Sequence, residues 1–262
     1  MALASNSLAP AARHLPTWIG TFLLASLAWI PTLLQSLSMP PMPGTMGMSF
    51  AAFLLFWTVM MAAMMLPALA PMLSLHLAVY RKDVCCLHPI LRLSTFLCGY
   101  LLFWVLMGVP VFLLALWAQT LAIQAPSLAI LVGAVTLIIA GSYQLSPLQG
   151  RCLAHCHPST KLHYRMLQMK CPTARTPIQE VGVGLQHGLV CLGSCGGLML
   201  ALVAASVMNV PAMLLITLLV FAIKVWRYGR ALSIIAGLGL IFIGILALHY
   251  PVTLIPGFVL PG

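Results

Sequence analysis

Residues 50–78 read FAAFLLFWTVMMAAMMLPALAPMLSLHLA, without one fully charged side chain. A helix that crosses a bilayer needs about 20 predominantly apolar residues, and this run exceeds that. The rest of the chain extends the same reading. Of 262 residues, 62% are hydrophobic and 5% charged: 12 Lys or Arg and two acids, Asp83 and Glu180. A soluble domain carries about 25% charged residues, so this chain cannot cover a water-facing surface. Disorder goes with low hydrophobicity and is excluded on the same ground. The fold class is therefore all-α, a polytopic transmembrane helix bundle. Seven spans of about 20 residues use about 140, leaving room for connections but not for a separate soluble domain. Neither acid falls in an apolar run, which excludes chemistry that needs paired carboxylates within the membrane.

Apolar runs predict spans at about 18–37, 50–78, 94–117, 127–146, 183–207, 210–225 and 231–248, in one transmembrane domain covering 1–262. The first could pass for a signal peptide, but Ser36 and Ser38 make a poor cleavage site, so it reads as retained. Arg13 precedes the first span. Arg81, Lys82 and Arg92 fall between the second and third, and Arg151, Lys161, Arg165, Lys170 and Arg175 between the fourth and fifth. Lys224, Arg227 and Arg230 fall between the sixth and seventh. In a seven-span arrangement all of them share one side. Positive-inside bias then predicts a cytoplasmic N-terminus and an outside C-terminus. The net charge of +10 belongs to that face, where it fixes orientation and meets anionic lipid headgroups; its scatter over short segments speaks against nucleic acid. The one long connection, 147–180, is expected to be a basic Cys- and His-bearing cytoplasmic loop with one short helix near 161–168.

The chain holds eight Cys, sixteen Met and eight His. Cys85, Cys86, Cys152, Cys156 and Cys171 fall on the reducing side, which favours metal binding or inert thiols over disulfides. Cys152, His155, Cys156 and His157 offer thiolate and imidazole donors, although the spacing is not that of a zinc finger. His187, Cys191 and Cys195 recur at every fourth residue of the fifth span, a ladder on one helix face with steps of about 6 Å. Gly182, Gly184, Gly188, Gly193, Gly196 and Gly197 would let a neighbouring helix approach that segment closely. Outside, Met39, Met42, Met46 and Met48 lie in a Pro- and Gly-rich loop. Met60, Met61, Met64 and Met65 form two interleaved pairs in the second span, ahead of Pro67, Pro71, Met72 and His76. The same side chains could serve only to pack helices: a free thiol behaves as a small hydrophobe and Met fills core space well.

Taken together, thioethers dominate outside and at the midplane, thiols and imidazoles towards the cytoplasm. That ordering suits a soft ion, Cu(I) first and Zn(II) second. The leading expectation is a membrane metal-binding protein that transports or delivers Cu(I). The alternative is a non-transporting structural or assembly subunit of a membrane complex, which leaves a protein partner or homo-oligomer open. No phosphate-binding loop, carboxylate pair or Cys-x-x-Cys supports an enzyme. A proton-driven pump lacks a midplane carrier other than His187, since Lys224, Asp83 and Glu180 all read as residues of the cytoplasmic edge.

Four stretches carry a resemblance: 60–67 (MMAAMMLP), 143–148 (YQLSPL) running into Arg151-Cys152-Leu153, 184–189 (GLQHGL) continuing through Cys191 and Cys195, and Met208-Asn209. In this order they resemble the bacterial family of predicted metal-binding integral membrane proteins, over about residues 49–230. The resemblance implies a multi-span inner-membrane protein and metal binding, without supplying a reaction. It carries over Met64, Met65, Pro67, Cys152, Cys156, His187, Cys191 and Cys195. One departure stands out: members commonly have an acid before a Lys late in the sixth span, where this chain has Ile223-Lys224.

Overall fold

The computed structural model of the chain describes residues 8–38, 45, 47–80, 89–156, 176–205 and 209–249. Among them the backbone forms eight helices and no strand. These are α1 (Leu8–Ser38), α2 (Phe50–Tyr80), α3 (Pro89–Gln124), α4 (Pro126–Leu145), α5 (Pro147–Cys156), α6 (Pro177–Ala204), α7 (Val210–Val225) and α8 (Gly229–His249). Prolines open α3, α4, α5 and α6, where the missing N–H would have had no helical acceptor. Side chains cap what remains: Ser146 Oγ accepts from the Gln149 N–H at 3.2 Å, and Asn209 Oδ1 from the Ala212 N–H at 3.0 Å. At the head of α6 the Thr176 N–H donates to Gln179 Oε1 at 3.2 Å. Inside the apolar helices, hydroxyls return to their own backbone. Thr58 donates to the Leu54 carbonyl at 2.7 Å, and Thr136 to the Val132 carbonyl at 2.7 Å.

Six of these helices, α1, α2, α3, α4, α6 and α8, are long and apolar enough to cross a membrane. The sixth of the seven expected segments, α7, has 16 residues. It rises about 24 Å, short of a hydrocarbon core of about 30 Å. Leu23, Leu27 and Leu34 of α1, Leu113 of α3 and Ile235 and Phe242 of α8 point outwards. The interior belongs to α2 and α6, the most enclosed of the long helices. α1 lies along α2, α3 along both α2 and α6, α4 against α6 and α8, and α7 against α2. Two glycines set the closest seam: a Cβ on Gly99 of α3 would run into the Val181 carbonyl, and one on Gly184 of α6 into the Phe96 carbonyl.

Several expectations need correction. The Cys- and His-bearing segment after Pro147 is not loop: it is helix α5, packed on α6, with Leu153 and Cys156 buried. The alternation of apolar and polar side chains through 147–156 is too short to stand out beside the long spans, and its helicity comes from packing. Arg92 and Glu180, expected on the cytoplasmic side as flanking charges, are buried within the helix packing. Each sits in the early turns of its helix (α3 and α6), with Arg92 Nε 3.7 Å from Glu180 Oε1. The short helix expected near 161–168 lies outside the described residues.

Candidate metal site

α6 enters the bundle on a row of glycines, and three of them admit a particular neighbour. Gly184 lets the α3 backbone approach at Phe96 and Tyr100. Gly188 faces the Phe103 ring. Gly193 leaves room for Cys152, whose Sγ would lie 2.5 Å from a Cβ there. The face of α6 that carries the closest of these glycines is turned into the protein, while Gln186 and Leu189 on the opposite face are exposed. His187, Cys191 and Cys195 are all buried, Cys191 completely.

Cys191 is the centre of the arrangement. Lys224, near the end of α7, places Nζ 2.8 Å from Cys191 Sγ. The Tyr100 hydroxyl lies 3.2 Å from the same sulfur. Cys195 Sγ donates to the Cys191 carbonyl at 3.0 Å, and Ser194 Oγ donates to it at 2.7 Å. From α5, Cys156 Sγ reaches Ser194 Oγ at 3.5 Å. Burial pushes the Cys156 thiol upward from its ordinary value, while Lys224 pulls it the other way, so Cys156 is within electrostatic reach of that ammonium. Lys224 itself is buried, and a buried ammonium needs an anionic or strongly accepting partner. Its partner here is a thiol.

Below this level, His76 and His187 both lie against Phe96, with ring centroids 4.6 and 5.8 Å from it. The His187 ring is also 6.0 Å from that of Tyr100. Above, Met60, Met61, Met64 and Met65 are almost wholly inaccessible. They belong to one contiguous buried cluster with Cys191, Cys195, Met72, Met199 and Met213. The thioethers and thiols expected on successive tiers thus share one core. Among the described residues, however, no three His, Cys, Asp or Glu side chains converge on a point where a single ion could sit.

The remaining candidates are spread out. Cys152 rests against Gly193, one turn of α5 from Cys156. His155 turns away from the thiols: its Nδ1 lies 2.7 Å from the Arg151 carbonyl. Met48 is half-buried against the core. His157, Met39, Met42, Met46 and Met208 lie outside the described residues.

Residues that the sequence reading did not single out hold the site in place. Arg230 donates through Nη2 to the carbonyls of Leu145 and Ser146, both at 3.1 Å, and through Nη1 to the Gln144 carbonyl at 3.3 Å and to Gln149 Oε1. Gln149 Nε2 in turn donates to the Ser194 carbonyl at 2.9 Å, and the Tyr143 hydroxyl to the Gly193 carbonyl at 2.8 Å. Arg230 thus closes the end of α4 and fastens α5 to α6. One signal could have flagged Lys224: an ionisable residue within an apolar helix is a functional candidate by default. Counting it among the orientation charges hid that.

Residues 54–247 match the model of the PpoB2 copper chaperone family. No curated protein and no solved structure matches the chain.

Proposed function

This chain belongs to the PpoB2 copper chaperone family, and we propose that it is a membrane-embedded chaperone that holds Cu(I) as cargo at Cys191 and passes it across or along a bacterial inner membrane. The observation that carries this reading is the pairing of a fully buried thiol with a buried ammonium at 2.8 Å. An inert packing cysteine has no use for such a partner, whereas a thiolate ligand does. The donor set also fits a soft monovalent ion: the thiols of Cys191 and Cys195 share one buried cluster with the thioethers of Met61, Met64 and Met65, and among the described residues the only carboxylate is that of Glu180, which faces Arg92. The apolar exteriors of the six long helices support insertion in lipid, and the one-sided basic residues support a cytoplasmic N-terminus.

Thioethers coordinate Cu(I) weakly and exchange it fast, while thiolates hold it more tightly. The methionines of α2 would receive or release the ion, and Cys191 would retain it. Purified protein under reducing conditions, loaded with Cu(I) and analysed for metal, tests the proposal. One bound ion, lost on Cys191→Ser with folding intact, is expected. Equal copper content in wild type and Cys191→Ser would refute it.

A further inference from the structure

We propose that the turn between α7 and α8 binds the headgroup of an anionic phospholipid, with Arg227 meeting the phosphate and Trp226 and Tyr228 lying where acyl chain gives way to headgroup. The inference rests on the membrane-embedded reading above. It goes beyond it by naming a lipid site, separate from the sulfur cluster, that selects headgroup charge.

The turn presents these three side chains in a fixed arrangement. The Trp226 N–H donates to the Ala222 carbonyl at 2.9 Å and ends α7, and the Gly229 N–H donates to the Trp226 carbonyl at 3.0 Å. Only glycine fits at 229, because a Cβ there would collide with the Ile223 carbonyl. Trp226, Arg227 and Tyr228 are all exposed, yet they hold one another. The Arg227 guanidinium sits 5.0 Å over the Tyr228 ring, and the Trp226 and Tyr228 rings meet edge to face at 6.1 Å.

Charge and level together select the ligand. A ring face attracts the cation but leaves the N–H donors of Arg227 to find acceptors, and none of the described residues supplies one. Glu180, the only acid among the described residues, is buried against Arg92. Arg230, the next base in the chain, is already engaged by four acceptors. The planar fork of Arg227 suits a phosphate. An exposed apolar row on α7, Leu214, Leu218 and Val225, stops at the turn, and another, Ile235, Leu238 and Phe242, begins beyond it on α8. Arg230 ties the start of α8 to the last carbonyls of α4, so α4 ends at this level too. Three helix ends and the limits of two apolar rows coincide, and exposed Trp and Tyr at such a boundary mark the headgroup level. A soluble anion would account for Arg227 but not for the aromatic pair set against acyl chain. An anionic lipid accounts for both.

The test uses the full chain in mixed vesicles of phosphatidylglycerol and phosphatidylcholine, with bromine on the acyl chains of one lipid at a time. Bromine quenches tryptophan fluorescence on contact, and the difference between wild type and Trp226→Phe isolates Trp226 from the other five tryptophans. The relative binding constant at Trp226 should favour phosphatidylglycerol by about fivefold, the size expected for one basic side chain at an anionic surface. Arg227→Gln should bring it close to one. Exposed Trp117, about 26 Å further along α3 than Tyr100, is the control: its quenching, isolated by Trp117→Phe, should show no preference. Equal quenching of wild-type Trp226 by the two lipids overturns the inference alone. So does a preference unchanged in folded Arg227→Gln, or one that Trp117 shares. Failure of either lipid to quench both Trp226 and Trp117 overturns the inference and the membrane-embedded reading together.

Discussion

Replacing Arg230 by Met should release α5 from the bundle while leaving the long helices assembled. The guanidinium makes four hydrogen bonds, to the carbonyls of Gln144, Leu145 and Ser146 and to Gln149 Oε1. A hydrogen bond to a charged group contributes about 1.5–3 kcal/mol, but these share one half-exposed side chain, and water can replace part of what the carbonyls lose. Gln149 is fully buried, so its Oε1 would be stranded at a cost of about 1–3 kcal/mol. The sum lies near 3 kcal/mol, or about a hundredfold in the α5 docking equilibrium at 1.4 kcal/mol per factor of ten. Cys156 reports on that equilibrium because it is buried at the α5–α6 contact, and exposed Cys98 supplies an internal reference. Peptide-resolved alkylation by mass spectrometry should show Cys156 reacting about a hundred times faster relative to Cys98 in Arg230→Met, as expected when local opening limits the reaction. Arg227, exposed and stacked 5.0 Å over Tyr228, is the control: Arg227→Met should change nothing. A Cys156 rate unchanged in folded Arg230→Met, or raised equally by Arg227→Met, would show that α5 is held by something other than this residue.

Three further outcomes are expected. Gly184→Val puts a branched side chain against the Phe96 carbonyl and the Tyr100 N–H; it should lower stability by about 1–3 kcal/mol or more and reduce Cu(I) affinity by moving Tyr100 from Cys191, as read by thermal melting and metal competition. Met61→Leu with Met65→Leu should cost less than about 1.5 kcal/mol because volume is conserved, yet slow Cu(I) exchange; unaltered exchange kinetics would confine those residues to packing. A reporter that works only outside the cytoplasm should be active after Gly262 and silent near Lys161, and the same response at both positions would revise the sidedness.

The helical class was legible because its signal is local: an apolar run such as 50–78 admits few alternatives once charges are missing. The burial of the His187–Cys191–Cys195 face was legible for a related reason, since period and glycine spacing lie within one helix. What joined that face to Lys224 was not legible. The residues are 33 positions apart in the chain, and their meeting depends on where α7 docks, which no local pattern encodes. Arg230 and Arg92 were hidden by a sound rule applied too broadly. Basic residues beside spans do fix orientation, but these two also close a helix end and meet a buried carboxylate. That the methionines of α2 and the thiols of α6 fall in one buried cluster was not legible, because it depends on the packing of α2 against α3 and α7 and of α3 against α6.

The unequal helix lengths have a bearing on lipid. Embedded in a bilayer, the 36-residue α3 is about 54 Å long and must tilt or protrude, whereas the 16-residue α7 is about 24 Å and cannot reach both headgroup layers. One slab thickness does not suit both lengths, and a bilayer that thinned beside α7 would relieve the mismatch. Thinning there would draw headgroups and water towards the Lys224 end of α7 and shorten the dry path of an ion to Cys191. Acyl-chain length then becomes a control parameter: thin bilayers relax the mismatch, thick ones strain it, and the ease of reaching the buried sulfur should follow the membrane as much as the protein.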